Sequence, residues 1–304
     1  MRRLVVLLLS ASVFTTGCGE RTSESPATTP RWALEGAAAA QLDADALAWA
    51  ERFVAAEEDG AWEAARDALI DLAVDHETQP FDGAVGFLSD ALDDEDACVR
   101  YNAALALGIL DRRALGAVER LAALSRDDAD AEVRAIAVHA IGQVAPPPRA
   151  FALAVYGEEV LGKLEPPPSE RDPALARRME GLGLEAVVAA LDDDDFDVRK
   201  EALGEIDQWG AEASPHAKKV AAFLTDPDRG MRYTALLSVR HIDAPPEVVV
   251  RRVTRLLHDP SPYTRRAAAF LLRDYGPAAS AAVPALEEAA RDPEVREAAE
   301  KALD

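Results

Sequence analysis

Cysteine occurs only twice in this 304-residue chain, at positions 18 and 98, and histidine only five times. Two cysteines exclude an internal disulfide framework. The histidines stand singly, with no His-x-x-x-His pair and no Cys partner at ligand spacing, so no metal set is expected. A Gly-rich phosphate loop and a nucleophile elbow are also missing, which leaves no catalytic residue, no cofactor and no evident small-molecule substrate. The acidic run LDDDDFDV (191–198) is not an EF-hand: Val198 stands where that loop needs glycine, and Gly204 where it needs a bidentate glutamate. Weak calcium binding by this loop and by DDED (93–96) is left open.

Positive charge is in short supply. Lys and Arg number 33 against 55 Asp and Glu, for a formal charge of −22. Residues 18–194 carry 36 acidic against 15 basic side chains, whereas residues 195–275 are balanced at 12 against 13. Phosphate binding needs a net basic face, so nucleic acid is excluded as a main ligand. A solvated acidic surface that keeps the chain soluble accounts for the excess.

Long apolar runs are absent except at the start. Leu4 to Phe14 follows the basic pair Arg2-Arg3 and is too short to span a bilayer, where about 20 residues are needed. It reads as an export signal. With Thr15-Thr16-Gly17 before it, Cys18 resembles the lipid-modified cysteine of a bacterial lipoprotein, although Thr15 stands where that family usually has leucine. The resemblance implies lipidation at Cys18 and attachment to a membrane through that lipid. Gly19, in place of the aspartate that retains lipoproteins in the inner membrane, implies an exported outer-membrane protein facing the periplasm or the cell surface. Without lipidation, a plain secretory signal cut near Gly17 is the alternative. Removing residues 1–17 takes away two arginines and moves the charge from −22 to −24. The expected organisation is a signal at 1–17, a Ser/Thr/Pro-rich tether at 18–40, and one folded unit at 41–304. Cys98, with Cys18 lipidated, is expected to be unpaired and inert.

What the chain does have is a period. Arg100, Arg134, Arg199, Arg232, Arg265 and Arg296 are separated by 34, 65, 33, 33 and 31 residues. Periods of this size signal a repeat array. Counting each arginine as zero, position −4 is Asp96, Asp130, Asp195, Asp228, Ser261 and Asp292, all good helix N-caps. Pro262 and Pro293 at −3 suit a first helical turn. Position +3 is alanine in all six copies, from Ala103 to Ala299. With −1 mostly valine and +7 aliphatic, this makes one buried helical stripe. Gly108, Gly142, Gly210 and Gly276 are read as helix C-caps. A second amphipathic segment precedes each capping loop, as in LGAVERLAALS (115–125) and VVVRRVTRLL (248–257). No strand pattern intervenes. The expected fold is all-α, an α-solenoid superhelix of about seven helix pairs, the first a degenerate copy at 41–75.

The phrase D-x-D-x-x-V-R-x-x-A-x-x-A-[LI]-G resembles the HEAT-like repeat of the phycobilin-lyase type. That resemblance implies an arginine–aspartate ladder between successive repeats, pairing Arg100, Arg134, Arg199, Arg232 and Arg265 with Asp94, Asp128, Asp193, Asp226 and Asp259. Ala290 stands at the sixth such place, leaving Arg296 without that partner. Between two triple prolines the chain loses the phrase, with Ala176 where the arginine belongs, and residues 145–183 read as an irregular repeat with a lengthened first helix.

Positions +1 and +5 face away from the stripe and are expected to line the concave wall. Tyr101 with Leu105, His139, Tyr233 with Leu237, and Arg266 with Phe270 are the candidate partner-binding residues; the bland alternative is that Leu237 and Phe270 are extra core. Arg251, Arg252, Arg255, Arg265, Arg266 and Arg273 form a candidate basic patch. The expected function is a non-enzymatic, lipid-anchored envelope scaffold for a protein or peptide. A structural spacer of an envelope assembly, or a tetrapyrrole lyase or carrier, are the alternatives.

Overall fold

The computed structural model describes residues 82–146 and 172–303, and every regular element within them is helical. The α-helices are α1 (Asp82–Ala91), α2 (Ala97–Ile109), α3 (Val118–Asp127), α4 (Ala131–Val144), α5 (Pro173–Ala190), α6 (Phe196–Glu205), α7 (Ala217–Val220), α8 (Arg229–His241), α9 (Pro246–Leu256), α10 (Pro262–Tyr275), α11 (Val283–Ala289) and α12 (Arg296–Leu303). Each odd-numbered helix packs on the even-numbered helix that follows. The even helices stack in one row from α2 to α12. This is the α-solenoid the period demands, with six helix pairs in the described residues. The degenerate copy at 41–75, the signal and the tether lie outside them.

Five of the six even helices start where their cap dictates; α12 departs, beginning only at Arg296, after a turn that follows Asp292. Asp96 accepts from the Cys98 amide, Asp130 from Glu132, Asp195 from Asp197 and Val198, Asp228 from Met231, and Ser261 from Thr264. The aspartate two residues earlier makes a tight turn of its own: Asp94, Asp128, Asp193, Asp226 and Asp259 each accept from the amide two residues on. The stripe is buried as its spacing requires, with Val133, Ala137 and Ile141 on α4 and Val198 and Ala202 on α6 at most 1% exposed. Small residues bring the row together closely. A Cβ on Gly108 would lie 3.2 Å from the Ala140 backbone, so Gly108 and Gly142 are close-contact residues inside helices, not the C-caps expected.

The turn after each even helix has its own requirement. Eleven residues past the arginine, Asp111, Gly210, Asp243 and Gly276 all have φ between 50° and 55°. Glycine takes this left-handed half of backbone space without penalty, and aspartate tolerates it better than most residues. Gly276 has ψ −129°, and a Cβ there would meet nothing within 4 Å. Gly276→Ala is therefore expected to cost about 1–3 kcal/mol through the backbone alone, measurable by urea unfolding.

One copy breaks this rule. Ala145 occupies the same place with φ −86°, so the chain leaves α4 on another path. The expected irregular repeat at 145–183 lies only partly within the described residues. Asp172 does cap a helix and Pro173 does start it, but α5 runs unbroken for 18 residues to Ala190. It is the first helix of the following pair and packs on α3, while α6 packs directly on α4. The repeat row therefore continues across the interruption. Residues 147–171 lie outside the described part.

The ladder joins successive repeats, and its register is one copy further on than the pairing expected. Arg100 donates to both carboxylate oxygens of Asp128 (2.7 and 2.9 Å), Arg134 to both of Asp193 (2.9 Å each), Arg232 to Asp259 (2.6 Å), and Arg265 to Asp292 and Glu294. The aspartate in each arginine's own loop contributes its backbone carbonyl instead, as Asp94 does to Arg100 at 2.9 Å. Arg296 donates to the Ala290 carbonyl. Arg199 takes three carbonyls of its own loop and, among the described residues, makes no ion pair with Asp226.

The Arg134 guanidinium holds the Asp193 carboxyl below the usual carboxylate range against the effect of burial. A depressed folded pKa gives stability that is present above the unfolded pKa and is lost as pH falls through the folded one. Arg134→Gln is expected to cost about 1.5–3 kcal/mol at pH 7. The gap to the wild-type chain should narrow once pH falls well below about 3.9, leaving the part due to the Asp128 carbonyl, as acid unfolding curves of the two proteins would show.

Candidate functional site

The outer face of the even row is not uniform. On α8 and α10, Tyr233 (39% exposed) and Phe270 (37% exposed) present aromatic surface to solvent, and Arg266 is exposed beside them. Leu237 is half-buried. Tyr101 and Leu105 on α2 are half-buried as well and pack against the core, so that pair is not the exposed one expected. Burial also pushes the Tyr101 hydroxyl far above its ordinary pKa.

Two arginines complete the aromatic surface. The Arg266 guanidinium lies 5.3 Å over the Tyr263 ring, and Arg273 lies 5.2 Å over Phe270. These cation–π distances hold rings and charges in place at an exposed site. Tyr263, 69% exposed, was not among the sequence candidates. Its signal was present at −2, where the six copies read Cys98, Glu132, Asp197, Gly230, Tyr263 and Glu294, with a single aromatic among them. A shallow depression beside it is lined by Arg229, Arg232, Pro260, Ser261, Pro262 and Tyr263. The expected basic patch does not hold together as one set: Arg265 is committed to the ladder, and Arg251, Arg252 and Arg255 stand on α9 in the other row.

His139 has a different setting. From α4 its Nδ1 lies 2.9 Å from Glu201 Oε1 and 2.8 Å from Glu205 Oε1, both on α6. Burial alone would lower its pKa; the two glutamates overcome that and raise it to about 10. Burial pushes Glu205 the other way from an ordinary carboxylate, upward, with His139 opposing. His139, Glu201 and Glu205 form a cluster whose ligand atoms all lie within 4.8 Å of one another. The glutamates are one helical turn apart on α6 and 62 and 66 residues from the histidine, so no linear motif announces them.

Cys98 is corrected too. Its sulfur is paired, against the unpaired thiol expected, and no free cysteine is present among the described residues.

The paired helices, the repeated left-handed turn and the cross-repeat ladder define an α-solenoid repeat protein. The model for HEAT repeats matches residues 50–142 and 218–304, more than half of the chain, and the protein belongs to this family. Among solved structures, an engineered protein aligns at 22% identity with TM-score 0.52, over 72% of this chain and 94% of its own. The YibA protein of Escherichia coli aligns at 14% identity with TM-score 0.52, over 86% of this chain and 93% of its own. A phycocyanin lyase complex from a Nostoc species aligns at 18% identity with TM-score 0.46, over 63% and 98%. At these identities the likeness concerns the fold alone. No curated protein matches the chain.

Proposed function

We propose that this chain is a non-enzymatic scaffold, anchored to the bacterial outer membrane by lipid on Cys18, that binds a protein or peptide along the concave face of its solenoid. The observation that carries this reading is the exposed row Tyr233, Tyr263 and Phe270 with Arg266 and Arg273 stacked on two of the rings. Tyr and Arg are the residues that most often dominate protein interfaces, and solenoid curvature gives them an extended surface. No helix among the described residues is long and apolar enough to cross a membrane. An anchor of the proposed kind lies in the segment outside them.

A photo-crosslinking residue at 270 tests the surface. Discrete adducts are expected from position 270 and not from position 218, since Lys218 is exposed on the other row. Equal labelling from both positions would remove the binding surface from the account.

The anchor has a separate test. The chain contains only Cys18 and Cys98, so a lipid thioether on Cys18 and an intrachain disulfide to Cys98 exclude one another. Intact mass of the mature protein from its own envelope is expected to show acyl chains on Cys18, with Cys98 open to alkylation after reduction. An unacylated chain two hydrogens lighter than its reduced form would contradict the anchor and leave the aromatic surface untouched.

A further inference from the structure

We propose that His139, Glu201 and Glu205 bind one divalent first-row transition ion, with Zn²⁺ as the preferred occupant. The reasoning starts from a conflict between the repeat and its residues. Position +6 is a core position, filled by Ala106, Ala140, Ser238 and Leu271 at 0–3% exposure, yet in this copy it is Glu205, also buried at 7%. Position +5 is apolar in three other copies, at Leu105, Leu237 and Phe270, but is His139 on α4. A carboxylate in a core position is costly unless its charge is met. The fold also makes room for it: a Cβ on Gly142 would overlap the Glu205 side chain, lying 2.8 Å from its Cβ.

One imidazole nitrogen, Nδ1, faces two carboxylate oxygens at 2.8 and 2.9 Å, and that nitrogen carries at most one hydrogen. Two ionised glutamates and an imidazolium leave a net charge of −1 in a largely buried place. A divalent ion between two carboxylates and a neutral imidazole leaves none. The imidazole nitrogen stands 2.8 and 2.9 Å from the two carboxylate oxygens, a few tenths of an ångström closer than donors held by one ion at about 2.0–2.2 Å stand to each other, so a small outward shift makes room between nitrogen and oxygens.

The surroundings complete the case. Gln143 Nε2 lies 3.3 Å from the remaining oxygen of Glu205 and can hold that carboxylate in orientation, as outer-shell donors do in metal sites. All four side chains stand on α4 and α6, two packed helices of the even row, so the donors are rigidly placed. The His139 and Glu201 side chains are 16% and 20% exposed, which gives an ion an entry path and leaves room for water in the open coordination position. One nitrogen and two carboxylates suit Zn²⁺ or Mn²⁺ better than Ca²⁺ or Mg²⁺, which take oxygen alone, and Zn²⁺ binds more tightly than Mn²⁺ in the common order of affinities.

The test titrates chelator-treated, full-length mature protein with ZnCl₂, MnCl₂ and CaCl₂ in high salt, by calorimetry and by metal analysis after gel filtration. One tightly held Zn²⁺ per chain is expected, with a rise in Tm, weaker Mn²⁺ binding and no saturable Ca²⁺ binding. Glu201→Gln is expected to weaken Zn²⁺ by at least about a hundredfold with the helical circular dichroism unchanged. The double variant His139→Leu/Glu205→Ala carries the residues that the first copy has at these places, Leu105 and Ala106. It should bind no Zn²⁺ and melt higher than the metal-free wild-type chain. Absence of a saturable Zn²⁺ site in the wild-type protein, or Zn²⁺ bound by either variant as tightly as by the wild-type chain, would overturn the proposal.

Discussion

Trp209→Ala is expected to destabilise the array by about 3–5 kcal/mol. Trp209 is 1% exposed, and its position ten residues past the arginine is a core position held by Leu110, Val144 and Ile242 in other copies. Here the residue is enlarged to fill the space where α5 meets the 3₁₀ turn at Ile206–His216. Its Nε1 donates to the Glu180 carbonyl at 3.2 Å, and a Cβ on Gly183 would lie 3.3 Å from its ring. Truncation removes both the packing and the hydrogen bond next to the interrupted repeat. In a solenoid each repeat is stabilised by its neighbours, so a weak joint uncouples the two halves. Urea unfolding should show a lower midpoint and a shallower or two-step transition. Trp209→Leu, which restores the side chain of the first copy, should recover part of the loss.

Arg112→Met is expected to have a comparable effect, about 3–5 kcal/mol, because it breaks a buried ion pair from one side. Arg112 is 8% exposed. Its Nη2 lies 2.9 Å from Glu180 Oε1, and its Nη1 donates to the carbonyls of Ala145 and Pro146. Those carbonyls follow the end of α4, where the repeat lacks its left-handed residue and the chain departs. One guanidinium thus serves the helix end and fastens it to α5 across the interruption. In the single variant the Glu180 carboxylate, 15% exposed, loses its partner. The double variant Arg112→Met/Glu180→Leu should therefore be more stable than Arg112→Met. If the double variant falls by the sum of the single losses, the pair is not coupled and Arg112 acts only through the carbonyls.

The fold was legible because its signals are local. An N-cap at −4, alanine at +3 and an aliphatic residue at +7 each concern one helix, and in the first five copies each behaves as one helix requires, whereas in the sixth the helix starts late and Leu303 is exposed. What depended on contacts between copies was harder to read. The arginine ladder needed the spatial order of the loops, which places Arg134 opposite Asp193 across 59 residues. The segment beginning at Ala145 was read as a degenerate repeat because its Asp-Pro phrase is real; the missing left-handed residue at 145 was the stronger signal.

The candidate site was legible in part. Tyr233, Arg266 and Phe270 follow from exposure at +1 and +5, whereas Tyr101 and Leu105 occupy the same positions but are half-buried against the core. Tyr263 at −2, seven residues before Phe270, lies on the same face two turns earlier, outside the +1 and +5 positions that carried the expectation. Glu205 stands at +6, beside the −1, +3, +7 stripe, where four other copies bury Ala106, Ala140, Ser238 and Leu271, so a glutamate there is the unusual residue.

The central claim is that the α8–α10 surface binds a protein partner. Affinity recovery of the mature chain from its own envelope, with the double variant Tyr233→Ala/Phe270→Ala alongside, tests it most directly. The account predicts defined partners with the wild-type chain and a loss of at least about thirtyfold in binding for the variant, the size of a hot-spot truncation, with helicity and Tm preserved. Recovery of the same partners in the same amounts by both proteins would contradict it.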